Sequence, residues 1–367
     1  MKRSLFIQYC SGLVLGIAVF GAAANADEAG VVYTMDNASG ANHVLSFKRD
    51  PNGNLSSANS IATGGAGSGA GLSSQGSMVL SRDGLWLFVC NAGSSEISVL
   101  NASGNELSVS DKVSSGGRMP VSLALRDNLL YVLNAGGGVG DVDNITAFVF
   151  ANGKLLALPD STQALSASNT GPAQVSFSRD GDTLIVTERS TSLIDTFAVG
   201  DDGLAGMHKT FQSVGPTPFG FDIGREGRLF VSETQNSTAS SYTATRDGDL
   251  ELISGAVPTK QAAACWLIAS HDGRFVYTAN AGSGSISGFR VSHDGSLQPI
   301  SSDGRTGVTG DSSHPVDMAQ SHDGRFLYNL ANGNGTIVGF RMKPNGDLDQ
   351  VTLVSGIPRS AAGLAGR

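Results

Sequence analysis

Short runs in which apolar and polar residues alternate, each closed by turn-forming residues, recur from one end of the chain to the other and predict β-strands. One unit reads apolar strand, short turn, then Gly-x-Leu or a close variant. It occurs as His43-Val44-Leu45-Ser46-Phe47 before Gly53-Asn54-Leu55 and as Ile97-Ser98-Val99-Leu100 before Gly104-Asn105-Glu106-Leu107. Five further copies lead to Gly153, Gly203, Gly248, Gly295 and Gly346, so the marker glycines are spaced by 45 to 51 residues. A second unit precedes most copies: a turn such as Ser81-Arg82-Asp83-Gly84, Ser178-Arg179-Asp180-Gly181, Ser270-His271-Asp272-Gly273 or Ser321-His322-Asp323-Gly324, then a β-rich run. Arg126-Asp127-Asn128 and Gly224-Arg225-Glu226-Gly227 are looser versions. Asp-Gly between apolar runs is a hairpin signal, because glycine accepts the positive φ a tight turn needs.

Each copy therefore holds about four short strands in roughly 49 residues, the size of one propeller blade. The expected fold is all-β: a seven-bladed β-propeller of four-stranded blades, forming one domain over residues 27–367. A helical solenoid is excluded, since no segment sustains an apolar period of 3.6. The first copy starts at Val31-Val32-Tyr33-Thr34, which matches a second strand. The last segment, Ile357–Leu364, resembles first strands such as Met119–Ala124 and His314–Ala319. The chain end is thus expected to supply the inner strand of the blade that the chain start begins, closing the ring without a long free edge. Ala62–Ser77, rich in Gly, Ala and Ser, reads as the linker between the first two copies.

The 367 residues include 49 glycines without a collagen-like period, as expected for many tight turns. Charged residues at 15% and apolar residues at 40% argue against a disordered chain. The net charge of −8 offers no basic footprint for nucleic acid and no polybasic membrane patch. Lys2 and Arg3, the apolar run Leu13–Phe20 and Ala24-Asn25-Ala26 form a signal-peptide pattern, so residues 1–26 are expected to direct export and be removed. That stretch carries two positive and no acidic residues, which would leave the mature chain at −10, periplasmic or secreted and not inserted in a membrane. Cys90 and Cys265 would survive cleavage. They fall in different copies and are expected as buried free thiols.

In an up-and-down blade, the Asp-Gly and Gly-x-Leu turns share one end of the ring. The opposite end receives the connections from second to third strand and the segments leading into each inner strand, and sites usually sit on such loops. At the ends of the second strands stand Asp36, Asn91, Asn134, Glu188, Glu233, Asn280 and Ala331-Asn332. Glu188 and Glu233 break the Asp/Asn pattern in adjacent copies, and Arg189 follows Glu188 directly. The starts of the inner strands add Gln75, Arg118, Gln174, Phe219, Trp266, His314 and Arg359. One carboxylate as general base to water and Arg189 as oxyanion partner would suit hydrolysis of a polar ring compound. The candidate catalytic residues are accordingly Glu188, Glu233 and Arg189, with Arg118, Gln174, Asn91, Asn134, Trp266, Asn280 and His314 as candidate substrate-binding residues. The alternative is that the glutamates pair with Arg189 or Arg118 and line a wet channel. Zinc, P-loop, nucleophile-elbow and dinucleotide motifs are absent. No cofactor is expected. A Ca2+ site built from Asp36, Glu188 or Glu233 stays open, although no spacing specifies one.

The repeated S-x-D-G turns, strands such as Phe275-Val276-Tyr277-Thr278-Ala279-Asn280 and the I-x-x-F…D-G-x-L units resemble the lactonase family of seven-bladed propellers over nearly all of residues 31–367. That family includes 6-phosphogluconolactonase-like and 3-carboxymuconate cyclase-like proteins. The resemblance extends to stretches such as Val186-Thr187-Glu188-Arg189, Pro218-Phe219-Gly220-Phe221 and Ala264-Cys265-Trp266. It implies a protein that hydrolyses or forms a lactone; the chain is expected to be a monomer whose partner is a small lactone or other polar ligand. Where phosphogluconolactonase-like members carry histidine and arginine at the inner-strand starts, this chain has Gln75, Gln174, Phe219 and Ala264, which points away from a phosphorylated sugar lactone. The alternative is a non-enzymatic propeller that binds a ligand or protein through the same end.

Overall fold

The Ser-x-Asp-Gly turns build themselves from their own side chains. In the first of them Ser81 Oγ donates to Asp83 Oδ1 at 2.5 Å and accepts from the Trp86 amide at 2.9 Å, while Asp83 Oδ1 also accepts from Leu85 N at 3.0 Å. Gly84 completes the turn at φ +70°, the left-handed region that a Cβ disfavours. The Ser270 and Ser321 turns repeat the arrangement. Local chemistry alone therefore fixes where each first hairpin reverses.

A computed structural model describes residues 29–103, 106–136, 141–245 and 247–367. The expected export segment, Cys10 and the Gly104-Asn105 turn lie outside the described residues. The described residues form seven antiparallel sheets of four or five strands and no helix. The protein is a seven-bladed β-propeller. Numbering blades from the chain start, the inner strands of blades 2 to 7 are Met78–Leu80, Pro120–Arg126, Pro172–Phe177, Pro218–Ile223, Ala264–Ala269 and Pro315–Gln320. Blade 1 takes Ala362–Gly366 as its inner strand, paired antiparallel with Gly30–Met35. This inner strand starts at Ala362, so Ile357–Ala361 approaches as a loop rather than as part of the strand.

The marker glycines tie blades together as well as turning the chain. The carbonyls of Gly53, Gly153, Gly203, Gly248, Gly295 and Gly346 each accept a side-chain hydroxyl from the preceding blade: Tyr328, Ser110, Tyr131, Thr196, Ser241 and Tyr277 at 2.6 to 2.9 Å. The repeat thus encodes the lower seams. Between blades lie clusters of buried aliphatic and aromatic side chains, among them Phe88, Tyr131, Phe197, Phe230, Phe289 and Phe340. Cys90 and Cys265 are buried free thiols, as expected.

Two features depart from the sequence reading. The connections from second to third strand, read from the sequence as loops that could carry a site, are only four-residue turns in blades 2, 4, 5, 6 and 7. The supposed linker Ala62–Ser77 crosses the ring axis. Ser74 Oγ donates to Val121 O in blade 3 at 2.7 Å, and Gln75 N donates to Ala173 O in blade 4 at 2.9 Å. The Gln75 amide then reaches blade 6, giving Nε2 to Leu267 O at 2.7 Å and taking Leu267 N on Oε1 at 2.9 Å. This withdrawal leaves blade 2 an inner strand of only three residues.

An innermost strand has one unpaired edge, and buried backbone groups there must find partners. Side chains supply them here. Ser122 Oγ accepts Val175 N at 3.1 Å; Gln174 exchanges two bonds with Phe221 N and O; Asp222 accepts Ala269 N; Asp317 accepts Gly363 N. The axis is therefore walled by satisfied polar groups and crossed by one strap.

Candidate active site at the upper mouth

The upper end is where the inner strands begin, and there the backbone is strained in a ring. Ser73, Met119, Thr217, Ala263 and His314 all have φ between 48° and 60°, and Gly171 lies at 62°. Three of the non-glycine residues, Met119, Thr217 and His314, precede proline, whose ring already restricts them, and Thr217 is β-branched. Each costs on the order of 1–3 kcal/mol and persists only because its surroundings hold it. The holding groups are visible: the carbonyls of Met119, Gly171, Thr217 and Ala263 each accept the amide that follows the second strand of their own blade, at 2.9 to 3.2 Å. Strain of this kind clusters at functional sites.

Four side chains from successive blades form a row across this mouth. Arg189 of blade 4 turns inward, its Nε donating to Gly171 O at 2.9 Å, and its guanidinium lies 5.5 Å from the centroid of the Phe219 ring. Phe219 of blade 5 meets Trp266 of blade 6 at 4.7 Å between centroids, tilted by 57°. Trp266 is held by Nε1 donating to Ser74 O at 2.9 Å, so the strap through the axis also fixes this ring. Trp266 and the exposed His314 of blade 7 line a small cavity of about 60 Å3 together with Leu72, Ser73, Asn332 and Asp317. Beside the row, the Cys265 thiol is pushed up to about 11 by burial, against the pull of Thr234 and of Arg189. Burial likewise pushes the Arg189 guanidinium below its usual range, with Cys265 opposing.

The glutamates take another place. Both end second strands at the upper end of adjacent blades, as read from the sequence, but both are fully buried at 0% exposure and face the seam with the preceding blade rather than the mouth. Glu188 accepts from Ser166 N at 3.1 Å, Ser166 Oγ at 2.5 Å and Thr191 Oγ1 at 2.6 Å. Glu233 accepts Thr238 Oγ1 at 2.6 Å on one oxygen and packs its methylenes against Gly215; burial pushes it up to about 6. Neither is paired with Arg189 or Arg118. The asparagines at the same position behave alike: Asn91 bonds Thr63, Ser98 and Asn42, Asn134 bonds Ser115 O and Asn144, and Asn280 bonds Ser285 and Ser287, all buried. At this position Asn91, Asn134 and Glu188 bind the preceding blade or the connector from it, whereas Glu233 and Asn280 bond within their own blades.

Of the other expected residues, Gln174 serves the inner edge, and Arg118 stands at the rim, 68% exposed and paired with Asp141 at 3.1 Å. The row was legible in part: Arg189, Trp266 and His314 are candidates from the sequence, and Phe219 stands with Trp266 among the inner-strand starts. The strap residues Ser73 and Ser74 carry no signal, because serines in a Gly/Ser stretch look like linker. Among the described residues no three His, Cys, Asp or Glu side chains converge as a metal-binding group.

The sequence profile of the family described as "Lactonase, 7-bladed beta-propeller" matches residues 25–150, 143–245 and 230–358. A Lactobacillus plantarum protein of known structure superposes with a TM-score of 0.76 at 16% identity, over 92% of this chain and 99% of its own. A Bacteroides uniformis protein assigned as a 6-phosphogluconolactonase gives 0.74 at 19% identity, with 92% and 99% covered. The periplasmic gluconolactonase of Pseudomonas aeruginosa gives 0.72 at 15% identity over the same shares. No curated protein matches the chain. At such identities the superpositions carry the fold alone.

Proposed function

The chain belongs to the lactonase family of seven-bladed β-propellers, and on that premise we propose that it is an exported hydrolase opening a lactone ring at the upper mouth. The observation that carries the reading is the row Arg189–Phe219–Trp266–His314, which sets a cation and an imidazole at the two ends of an aromatic floor. A flat, mostly apolar ring with one polar edge fits such a floor. In the proposed step His314 takes a proton from water as the resulting hydroxide adds to the lactone carbonyl. The ring C–O bond breaks as the departing oxygen takes the proton back from His314, while Arg189 at the other end of the floor holds the polar edge of the substrate. The product is an open hydroxy acid. Glu188 acts here as a positioning residue, binding the connector from blade 3 beside the point where Arg189 turns toward the mouth, while Glu233 bonds Thr238 within its own blade. Arg118 at the rim would meet the acid product.

Purified protein screened against lactones of varied ring size, with and without chelator, tests this. Turnover of at least one lactone is expected, falling about 100-fold in Arg189→Ala and in His314→Ala with unchanged thermal midpoints. Turnover undiminished in both variants overturns the assignment. A non-enzymatic binding propeller is the second reading, favoured by the burial of both glutamates. It is supported instead if no lactone turns over while one binds saturably and Arg189→Ala abolishes binding. Export predicts a mature protein beginning near Asp27, which N-terminal sequencing of the periplasmic fraction reads directly.

A further inference from the structure

At the opposite end of the ring, the residue after the serine of each Ser-x-Asp-Gly turn that follows an inner strand is a cation or an imidazole: Arg82, Arg179, His271 and His322, with Arg225 in the Gly-Arg-Glu-Gly variant. Arg126 ends the inner strand of blade 3 and Arg367 directly follows that of blade 1, so every blade brings one such residue to this end. These side chains lean over the turn of the following blade. Arg126 crosses Gly181 and donates Nη1 to Arg179 O at 3.0 Å; Arg225 lies across Gly273, His271 across Gly324, and Arg367 across Gly84, whose carbonyl it also binds at 2.9 Å. A Cβ at Gly181 would fall 2.0 Å from Arg126 Nε, so that glycine serves the cation as well as the turn.

The acids of these turns are already committed. Asp83 is held by Ser81 and Leu85 N, Asp272 by Ser270 and Arg274, and Asp323 by Ser321 and Arg325. In contrast, Arg82, Arg179 and Arg225 are exposed and form no ion pair or side-chain hydrogen bond among the described residues. They face two cavities that share His271. One, of about 450 Å3, is bordered by Arg82, His271, His322 and Arg367 with Asp83; the other, of about 440 Å3, by Arg179, Arg225 and His271 with Asp272 and Asp323. In a chain of net charge −8 these open guanidinium groups stand beside acids already bonded within their own turns, and guanidinium groups with open donor forks match planar or tetrahedral oxyanions.

We propose that the lower mouth is a binding site for a small polyanion bearing two or more oxyanion groups, phosphate or carboxylate, held by Arg82, Arg179 and Arg225 with His271 at the junction of the two cavities. The site is independent of the lactone reading, which concerns the other end of the ring. His271 is held below its usual range by burial and by His322 beside it, with Asp272 and Asp323 opposing. An anion seated between the imidazoles would raise it.

Titration calorimetry of the purified protein with tripolyphosphate and, separately, citrate at about 50 mM salt tests the site and distinguishes its two oxyanion sources. One saturable site is expected for at least one of them, weakened about tenfold or more in the double variant R179S/R225S and retained in R179K/R225K and in His314→Ala. The His271 ring protons should titrate at higher pH with the anion present. The substitutions lie in exposed turns, so folding should survive them, and a melting curve verifies it. The proposal fails if neither anion saturates. It also fails if R179S/R225S binds as well as the parent, or if Lys209→Ser on the outer rim weakens binding equally.

Discussion

The carboxyl groups of Glu188 and Asp195 face each other inside blade 4, on neighbouring strands two residues out of register. Burial and the charge of Glu188 push Asp195 up to about 7, although Thr210 Oγ1 donates to it at 2.9 Å. Two acids in one seam cannot both ionise cheaply, so the pair holds a proton at pH values where free carboxyls have lost theirs.

Stability should therefore fall toward neutral pH. Asp195 and Asp317 rise to about 7 and Glu233 to about 6, chiefly through burial. Between their ordinary values and these raised ones, the folded state binds more protons than the unfolded chain. The stabilisation is then fully present near pH 4 and is lost as pH climbs through 6 and 7. Thermal midpoints measured across this range should drop by several degrees between about pH 5 and about pH 8. The turn acids Asp83, Asp272 and Asp323 are lowered instead, and they act only in stronger acid. A midpoint that rises steadily from about pH 5 to about pH 8 would contradict the buried-acid reading.

Glu188→Gln separates charge from shape. The amide oxygen can still accept Ser166 N, and removing the neighbouring charge should bring Asp195 down and flatten the pH dependence. Glu188→Ala leaves Ser166 and Thr191 without their buried acceptor and should cost about 2–3 kcal/mol. Denaturant midpoints of the two variants at about pH 8 compare them: equal losses would mean that the seam depends on the charge itself.

Gln75→Ala should cost about 2–4 kcal/mol, because Leu267 N and O lose their partner and a void opens on the axis. The same variant should loosen Trp266, whose indole is anchored one residue earlier, so tryptophan fluorescence should shift before global unfolding. A loss below about 0.5 kcal/mol would show that the strap is dispensable.

Deleting residues 362–367 removes the inner strand of blade 1, the bond from Thr34 Oγ1 to Gly363 O at 2.7 Å and the two backbone bonds between Val31 and Arg367. The first blade would then present a bare edge to the axis. Circular dichroism melts should show a broad transition well below that of the full chain. A transition as sharp and as high as the parent's would argue against closure by the chain end.

The sequence by itself determined the blade count, the strand order within each blade and the closure of the ring. These follow from turns that are chemically complete within four or five residues, as in Ser81–Gly84, and from glycines whose spacing repeats the blade. It also marked Glu188 and Glu233 as exceptions, Arg189 as their neighbour, and Trp266 and His314 as candidates. Only the tertiary structure decided where those side chains point. Alternation along a strand tells which residues are buried, but not whether a buried carboxyl meets a mouth or a seam. That depends on donors such as Ser166 brought by another blade. The strap gave no local sign for the same reason: Gln75 finds its partners 146 and 192 residues away, and a Gly/Ser stretch becomes structure only when backbone edges elsewhere need its amide.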